Sequence, residues 1–168
     1  MSAIPKVLKN FNLFVDGVGY AGLVEELTLP KLALKLEDYR NGGMDAPTDL
    51  DMGMEKLECD FTLSEYEPDV MGFFGLTEDA QVQLVFRGGL DGENGVTPVV
   101  VNVTGAWKDL DMGSWKAGEK TPLKVSISLR YYKLKIDGNA LVEVDVLNMK
   151  RVINGNDQLK DMRKAIGM

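Results

Sequence analysis

Residues 32–63 constrain the fold of this chain more than any other stretch. Leu32, Leu34 and Leu36 alternate with Lys31, Ala33, Lys35 and Glu37. Further on, Leu50, Met52 and Met54 alternate with Asp49, Asp51, Gly53 and Glu55. A period of two sends successive side chains to opposite faces, so each run predicts a β-strand with one apolar and one wet face. Between them, Tyr39-Arg40-Asn41-Gly42-Gly43-Met44-Asp45-Ala46-Pro47 reads as a hairpin tip. Gly42 and Gly43 there suit a positive φ or a close approach of backbone. Beyond Glu55 the apolar set moves to Leu57, Cys59, Phe61 and Leu63. A one-residue slip turns the other face inward, which predicts a kink or bulge near Glu55-Lys56. A hairpin that is apolar on one face at its base and on the other near its tip is expected to leave its own domain for a subunit contact.

The remaining periodicities put this hairpin on a mainly β domain spanning 1–168. Residues 1–10 lack periodicity, contain Pro5 and read as an N-terminal arm. Phe11 to Gly22 reads as a strand, an Asp-Gly turn and a short return, and the same phrase recurs from Tyr132 to Leu141. Val24 to Leu36 is extended, with Pro30 marking an edge or a break. Strands are expected over 80–86, 99–107 and 123–136, with Arg87 to Gly95 as a flexible connection. The last strand slips phase from Val125, Ile127, Leu129 and Tyr131 to Tyr132, Leu134 and Ile136. A helix is predicted over 64–75, from a capping box of Ser64 with Glu67, Pro68 in its first turn, Gly75 at its end and a stripe of Val70, Phe73 and Phe74. A C-terminal helix is predicted over 156–166, with Asn156 as N-cap and Leu159, Met162 and Ile166 on one face. Long strands with a phase change suit a closed β-sandwich or barrel, here with one short packed helix and a C-terminal helix.

Composition removes most chemistry. The chain has no histidine, which deletes the commonest general base and metal ligand together and excludes histidine triads and the usual zinc sites. A single cysteine, Cys59, excludes an internal disulfide and sits in an apolar row, as a buried structural thiol does. Asp49-Leu50-Asp51-Met52-Gly53 and Asp109-Leu110-Asp111-Met112-Gly113 are the same pentapeptide, but their glycines stand where a calcium loop needs an oxygen ligand. Arg87 to Gly95 lacks the Lys-Ser/Thr ending of a phosphate cradle and leads into a strand. Asn102-Val103-Thr104 has the form of a glycosylation acceptor without a secretory signal to give it meaning. Trp115, flanked by lysines, reads as a buried tryptophan in a turn in preference to a stacking platform. No apolar run reaches the roughly 18 residues that span a bilayer, and the charged N-terminus does not resemble a signal peptide, so no membrane binding is expected. No catalytic, metal-ligating or cofactor-binding constellation remains, and the chain reads as an interaction protein.

The net charge of −7 is uneven: residues 1–84 carry 6 basic and 16 acidic side chains, residues 85–168 carry 13 and 10. Such asymmetry suits self-association between unlike surfaces, and equally suits solvated faces of opposite bias. An acidic chain is poorly suited to gripping nucleic acid through its phosphates.

Nearly the whole chain resembles, in order, the major tail tube protein of contractile-tailed bacteriophages and R-type pyocins. The likeness rests on the tip Tyr39 to Pro47 with Asp51-Met52-Gly53-Met54-Glu55, and on Thr28-Leu29-Pro30-Lys31-Leu32, Phe73-Phe74-Gly75-Leu76 and Phe86-Arg87-Gly88. It continues through Trp115 to Lys120, Tyr131-Tyr132-Lys133-Leu134 and Ile153-Asn154-Gly155. The resemblance implies a non-enzymatic subunit of a hexameric ring, with rings stacked into a hollow tube inside a tail sheath. It implies strands of all six copies joined around a lumen, and tape-measure, baseplate and terminator proteins as further partners. It implies that DNA passes through when the particle is a phage, and that the virion tail is assembled in the bacterial host cytoplasm. In that setting Tyr39, Arg40, Asn41, Gly42, Gly43, Met44, Asp45, Leu50, Met52 and Met54 are expected at the inter-subunit contact. Asp49, Asp51 and Glu55, alternating opposite Leu50, Met52 and Met54, are expected to face the lumen. The type VI secretion tube protein has a related ring, and a monomeric β-sandwich binding module is the remaining alternative.

Overall fold

The computed structural model describes residues 4–75, 77 and 80–168. Three long antiparallel strands form its spine: β7 (Val82–Gly92), β8 (Gly95–Asp111) and β9 (Leu123–Ile136). Outside β7 lies β1 (Val7–Val15), followed by the short return β2 (Val18–Gly19). Outside β9 lie β10 (Asn139–Asp145), β11 (Lys150–Ile153) and β12 (Asn156–Asp157). The sheet order is therefore β12-β11-β10-β9-β8-β7-β1-β2. Asp16-Gly17, Asp137-Gly138 and Asn154-Gly155 all carry positive φ at both residues, the two-residue turn that matches strand twist.

At β9 the sheet divides. Tyr131 to Ile136 pairs with β10, whereas Leu123 to Ser128 pairs with β6 (Glu58–Leu63), which in turn pairs with β3 (Val24–Thr28). The switch coincides with a register shift between Thr104 and Gly105 that leaves Arg130 out of the β8–β9 pairing. The phase slip expected along this strand is that bulge. A Cβ at Gly105 would come within 2.3 Å of the Ser128 carbonyl oxygen, so glycine alone allows the strands to approach so closely. The two wings enclose one core, with Leu13, Leu84 and Val103 from one side and Phe61, Leu63 and Ile127 from the other. Trp107 lies fully buried within it, meeting Phe61 and Phe73 edge-on at 5.8 and 5.9 Å. Its Nε1–H donates to the Val70 carbonyl at 2.7 Å, satisfying the indole's only polar group. Cys59 is buried in the same core, and burial pushes its thiol pKa up, as a structural thiol requires.

Several local expectations change. The first helix, α1, is only Pro68–Met71. Ser64 does not cap it: its Oγ hydrogen-bonds Glu25 at 2.9 Å, and N-cap Glu67 makes no side-chain cap. Val70 is buried and Phe73 packs on Trp107, but Phe74 is exposed, because the chain leaves the helix at Gly72. The second helix, α2, is Lys160–Ala165. Asn156 is not its N-cap but a residue of β12, since Asn154-Gly155 turns the chain into another hairpin. Arg163 ties α2 down by donating to the Met149 carbonyl and the Asp157 carboxylate, yet Met162 and Ile166 remain exposed. Arg87 to Gly92 belongs to β7, so the expected flexible connection shrinks to a tight turn at Glu93-Asn94. Of the N-terminal arm, residues 1–3 lie outside the described residues, and Val7 to Asn10 pair along β7 as part of β1.

Candidate assembly interface

β4 (Leu34–Tyr39) and β5 (Thr48–Met54) form a two-stranded sheet of their own. All six residues of β4 are exposed, and so are Leu50 and Met52 of β5. An isolated two-stranded hairpin is marginally stable in water, so this element lacks most of its packing within the subunit.

The tip is tightly organised. Met44 N–H bonds the Asn41 carbonyl at 3.1 Å, Arg40 Nε donates to the Met44 carbonyl at 3.2 Å, and Asn41 Nδ2 donates to the Tyr39 hydroxyl at 2.7 Å. Gly43 takes φ +88, which favours glycine. A Cβ at Gly42 or Gly43 would meet nothing within 4 Å, so close approach inside the subunit is not their purpose. Asp45 is exposed beside Met44 at the same tip.

The stem departs from the simple alternation. Leu34 opposes Met54, whereas Leu36 opposes Asp51 and Glu37 opposes Leu50. The extra residue on β5 is absorbed at Gly53, at φ +105, whose N–H bonds Asp51 Oδ1 at 2.9 Å. The expected slip near Glu55-Lys56 thus has two parts, a bulge at Gly53 and a crossing of residues 55–57 from this hairpin into β6. Directly opposed residues share a face, so Met54 falls on the face of Asp51 and Leu36 and not on that of Leu50. The row expected to join Glu55 to Asp49 and Asp51 is broken at Gly53. Each face near the tip mixes apolar and acidic groups: Leu36 with Asp38, Asp49 and Asp51 on one, Leu50 with Glu37 on the other. The cause is cross-strand register, which alternation along one strand does not report.

The same pentapeptide at Asp109 to Gly113 makes the same turn, with Gly113 N–H on Asp111 Oδ1 at 2.9 Å. Both copies therefore spend a carboxylate oxygen on their own backbone, the first at a bulge within β5 and the second just past the end of β8. Asp51 has a second partner, because Arg151 Nη2 donates to its Oδ2 at 2.8 Å. The Gly53 N–H first, and Arg151 after it, hold the Asp51 pKa below the ordinary carboxylate value. Arg151 is largely buried at the inner face of β11, opposite Val144. This ion pair moors the hairpin across a groove of about 590 Å³ lined by Met52, Met54, Met149, Leu159 and Met162.

Sequence reasoning also missed Arg151, which no local pattern marks as the hairpin's mooring, and did not single out Leu34 and Leu36 as exposed apolar residues of the hairpin. Trp115 is the clearest reversal: expected buried, it is 82% exposed. Its Nε1–H donates to the Tyr66 hydroxyl at 3.0 Å, and Tyr66 donates to the Met112 carbonyl at 2.5 Å. The indole is held in place with its polar atom satisfied and its rings open. Among the described residues no helix is long and apolar enough to cross a membrane.

A β subunit with an unpacked projecting hairpin and exposed apolar strand residues belongs to the class completed by neighbouring copies. The chain belongs to the phage tail tube protein FII family, whose model matches residues 5–167; it is a structural subunit of a contractile tail's inner tube. It is 36% identical over 171 residues to the tail tube protein of Escherichia phage P2, covering 99% of both chains. It is 33% identical over 181 residues to the major tail tube protein of Serratia phage KSP20, covering 99% of this chain and 98% of that one. The fold is also that of a chain in the sheath–tube complex of the extracellular contractile injection system PVC, with TM-score 0.61 at 10% identity over 79% of this chain and 93% of that one. A chain in the baseplate of the anti-feeding prophage matches with TM-score 0.54 at 14% identity, over 80% and 97% of the two chains.

Proposed function

We propose that copies of this chain close into hexameric rings and that these rings stack into the hollow tube. The observation that carries the reading is the β4–β5 hairpin, whose Leu34, Leu36, Leu50 and Met52 are 41–54% exposed in the subunit. Open strand edges normally invite aggregation and are blunted; here ring closure is what occupies them. Relatives of this fold occur in a sheath–tube complex, a tube terminator complex and a baseplate, which supports sheath, terminator and baseplate proteins as partners. A tape-measure protein inside the forming tube, DNA passage in phage particles, and assembly in the host cytoplasm complete the reading.

Within it, the tip residues Tyr39 to Asp45, with Leu50 and Met52, contact the adjacent subunit or ring. Asp49, exposed, supplies a carboxylate to the lumen, and Asp51 joins that wall as a pair with Arg151, whereas Glu55 falls on the other face beyond the Gly53 bulge. Six-fold repetition of such carboxylates repels DNA phosphates and permits passage without adhesion. Electron microscopy of the concentrated protein tests the assembly: uniform hollow tubes support it and dispersed monomers overturn it. Removing Asn41 to Asp45 is expected to leave a folded monomer that forms no tubes. A map of the assembled tube with Asp49 turned toward the sheath would refute the lumen assignment.

A further inference from the structure

We propose that the segment Asp109 to Trp115 of one subunit docks in the methionine-lined groove of the next copy, setting Asp111 on Arg151. This rests on the ring-and-tube reading above and names one pair of surfaces that meet in it. The groove lies between the β4–β5 hairpin, the β10–β11 turn and α2, and its base reaches the buried Leu57, Leu129 and Val144. Its charged lining is balanced, with Lys56, Lys150 and Arg151 against Asp51, Glu55 and Asp145. Lys56 and Lys150 are paired with Glu58 and Glu143. Arg151 is short of acceptors: Nη2 bonds Asp51, while Nε is buried and, among the described residues, has no partner. A guanidinium fork can serve two carboxylates, and a buried donor left unpaired is costly.

The chain itself supplies the template for the occupant. Arg151 already holds one Asp-Leu-Asp-Met-Gly copy through Asp51, with Met52 beside it in the wall of the groove. The second copy, Asp109 to Gly113, folds its aspartate the same way, the glycine N–H meeting Oδ1 at 2.9 Å in both. In the first copy this leaves Oδ2 for Arg151. In the second, Asp111 is exposed and its Oδ2 has no partner among the described residues. Met112 is 47% exposed. Its carbonyl accepts from the Tyr66 hydroxyl, on which Trp115 also leans, so the segment is presented in a fixed shape and loses little freedom on docking. Occupant and site are matched by one sequence, one turn and one charge pairing.

The second copy does not reach the groove of its own chain. Asp111 ends β8 opposite Lys124 of β9, whereas the base of the groove is at Leu129 of the same strand. At about 3.4 Å per residue those two points are roughly 17 Å apart. β6 spans the same interval, from Leu63 opposite Leu123 to the Leu57 carbonyl, which accepts from Leu129 N–H at 3.0 Å. Each subunit thus carries donor and acceptor at the two ends of one ladder. This is a heterologous contact, which closes into a ring when the rotation per copy permits.

The natural cysteine is buried, so introduced cysteines report the contact. Met112→Cys and Met162→Cys subunits, each altered at an exposed methionine, are mixed, assembled and oxidised. A disulfide-linked heterodimer is expected from the assembled mixture, and none from the same subunits oxidised below the concentration at which tubes grow. Tubes that form without this link would overturn the docking and leave the ring reading standing. A link from Met162→Cys to Leu8→Cys in place of Met112→Cys would overturn it in favour of the N-terminal strand. Failure of the unmodified protein to form any tube would sink both. The charge pairing has a separate test. Asp111→Asn keeps an Oδ1 acceptor for the Gly113 N–H and removes the charge, so circular dichroism and the melting curve are expected to stay unchanged. The concentration needed for tube growth is expected to rise at least roughly tenfold, the scale of one hydrogen bond to a charged group. Folded Asp111→Asn protein that grows tubes at the unmodified concentration overturns the pairing of Asp111 with Arg151.

Discussion

β5 and β6 lie next to each other in the chain and carry the same kind of alternation, yet they meet opposite fates. Cys59, Phe61 and Leu63 of β6 are at most 2% exposed, whereas Leu50 and Met52 of β5 are 41% and 54% exposed. The difference lies in what each strand pairs with. β6 is held between β3 and β9 and presses one face onto Trp107. Among the described residues β5 pairs with β4 alone. The same pattern therefore gives core where a sheet receives it and an open apolar face where none does, the face that the proposed ring would cover.

Substitutions in the two regions separate these roles, ranked here by their effect on the isolated subunit. Gly105→Val is expected to abolish folding, since its Cβ would overlap the Ser128 carbonyl of the neighbouring strand; circular dichroism would show no cooperative melt. Trp107→Ala removes the central ring and strands the Val70 carbonyl. It is expected to cost about 3–5 kcal/mol in denaturant unfolding, by the usual scale of large-to-small core changes. A cost under about 1 kcal/mol would show that the core tolerates a cavity there. Asp51→Asn weakens the mooring on Arg151 and is expected to change global stability less than either core substitution, as an exposed ion pair does. Its clearer sign is faster amide exchange in β4 and β5 with β6 unchanged; equal acceleration in both would merge the two regions. Leu36→Asp is expected to leave subunit stability within roughly 0.5 kcal/mol, as surface substitutions do, while tubes disappear from micrographs. A large loss of stability would mean that the hairpin is core after all.

Acid offers a reversible version of the Asp51 test. The folded Asp51 pKa lies below its ordinary value of 3.8, so its contribution is present above that range and is lost as pH falls through the lowered value. Hairpin exchange should accelerate in that window in the natural protein, and Asp51→Asn should show no such step.

Much of the fold was legible because it depends on local alternation. β9 runs over the expected 123–136, and Asp16-Gly17 and Asp137-Gly138 form the expected turns, since only residues tolerant of positive φ close such hairpins. Helix ends were read less well. Ser64 found a stronger partner in Glu25, and Asn156 was drawn into β12, because long-range pairing outcompeted local capping.

By itself, the sequence determined which residues alternate, where the chain turns, and that no histidine chemistry is available; of the hairpin expected over 32–63, the projecting part is 34–54, and 58–63 is core. Periodicity and turn chemistry are properties of neighbouring residues and need no tertiary partner. Only the tertiary structure decided which apolar rows are covered. It set the register that puts Leu36 opposite Asp51, absorbed the slip at Gly53, moored Asp51 on Arg151 and opened the groove that this pair crosses. Those outcomes depend on pairings between segments as much as 100 residues apart, and a period of two says nothing about which segment lies across the ladder.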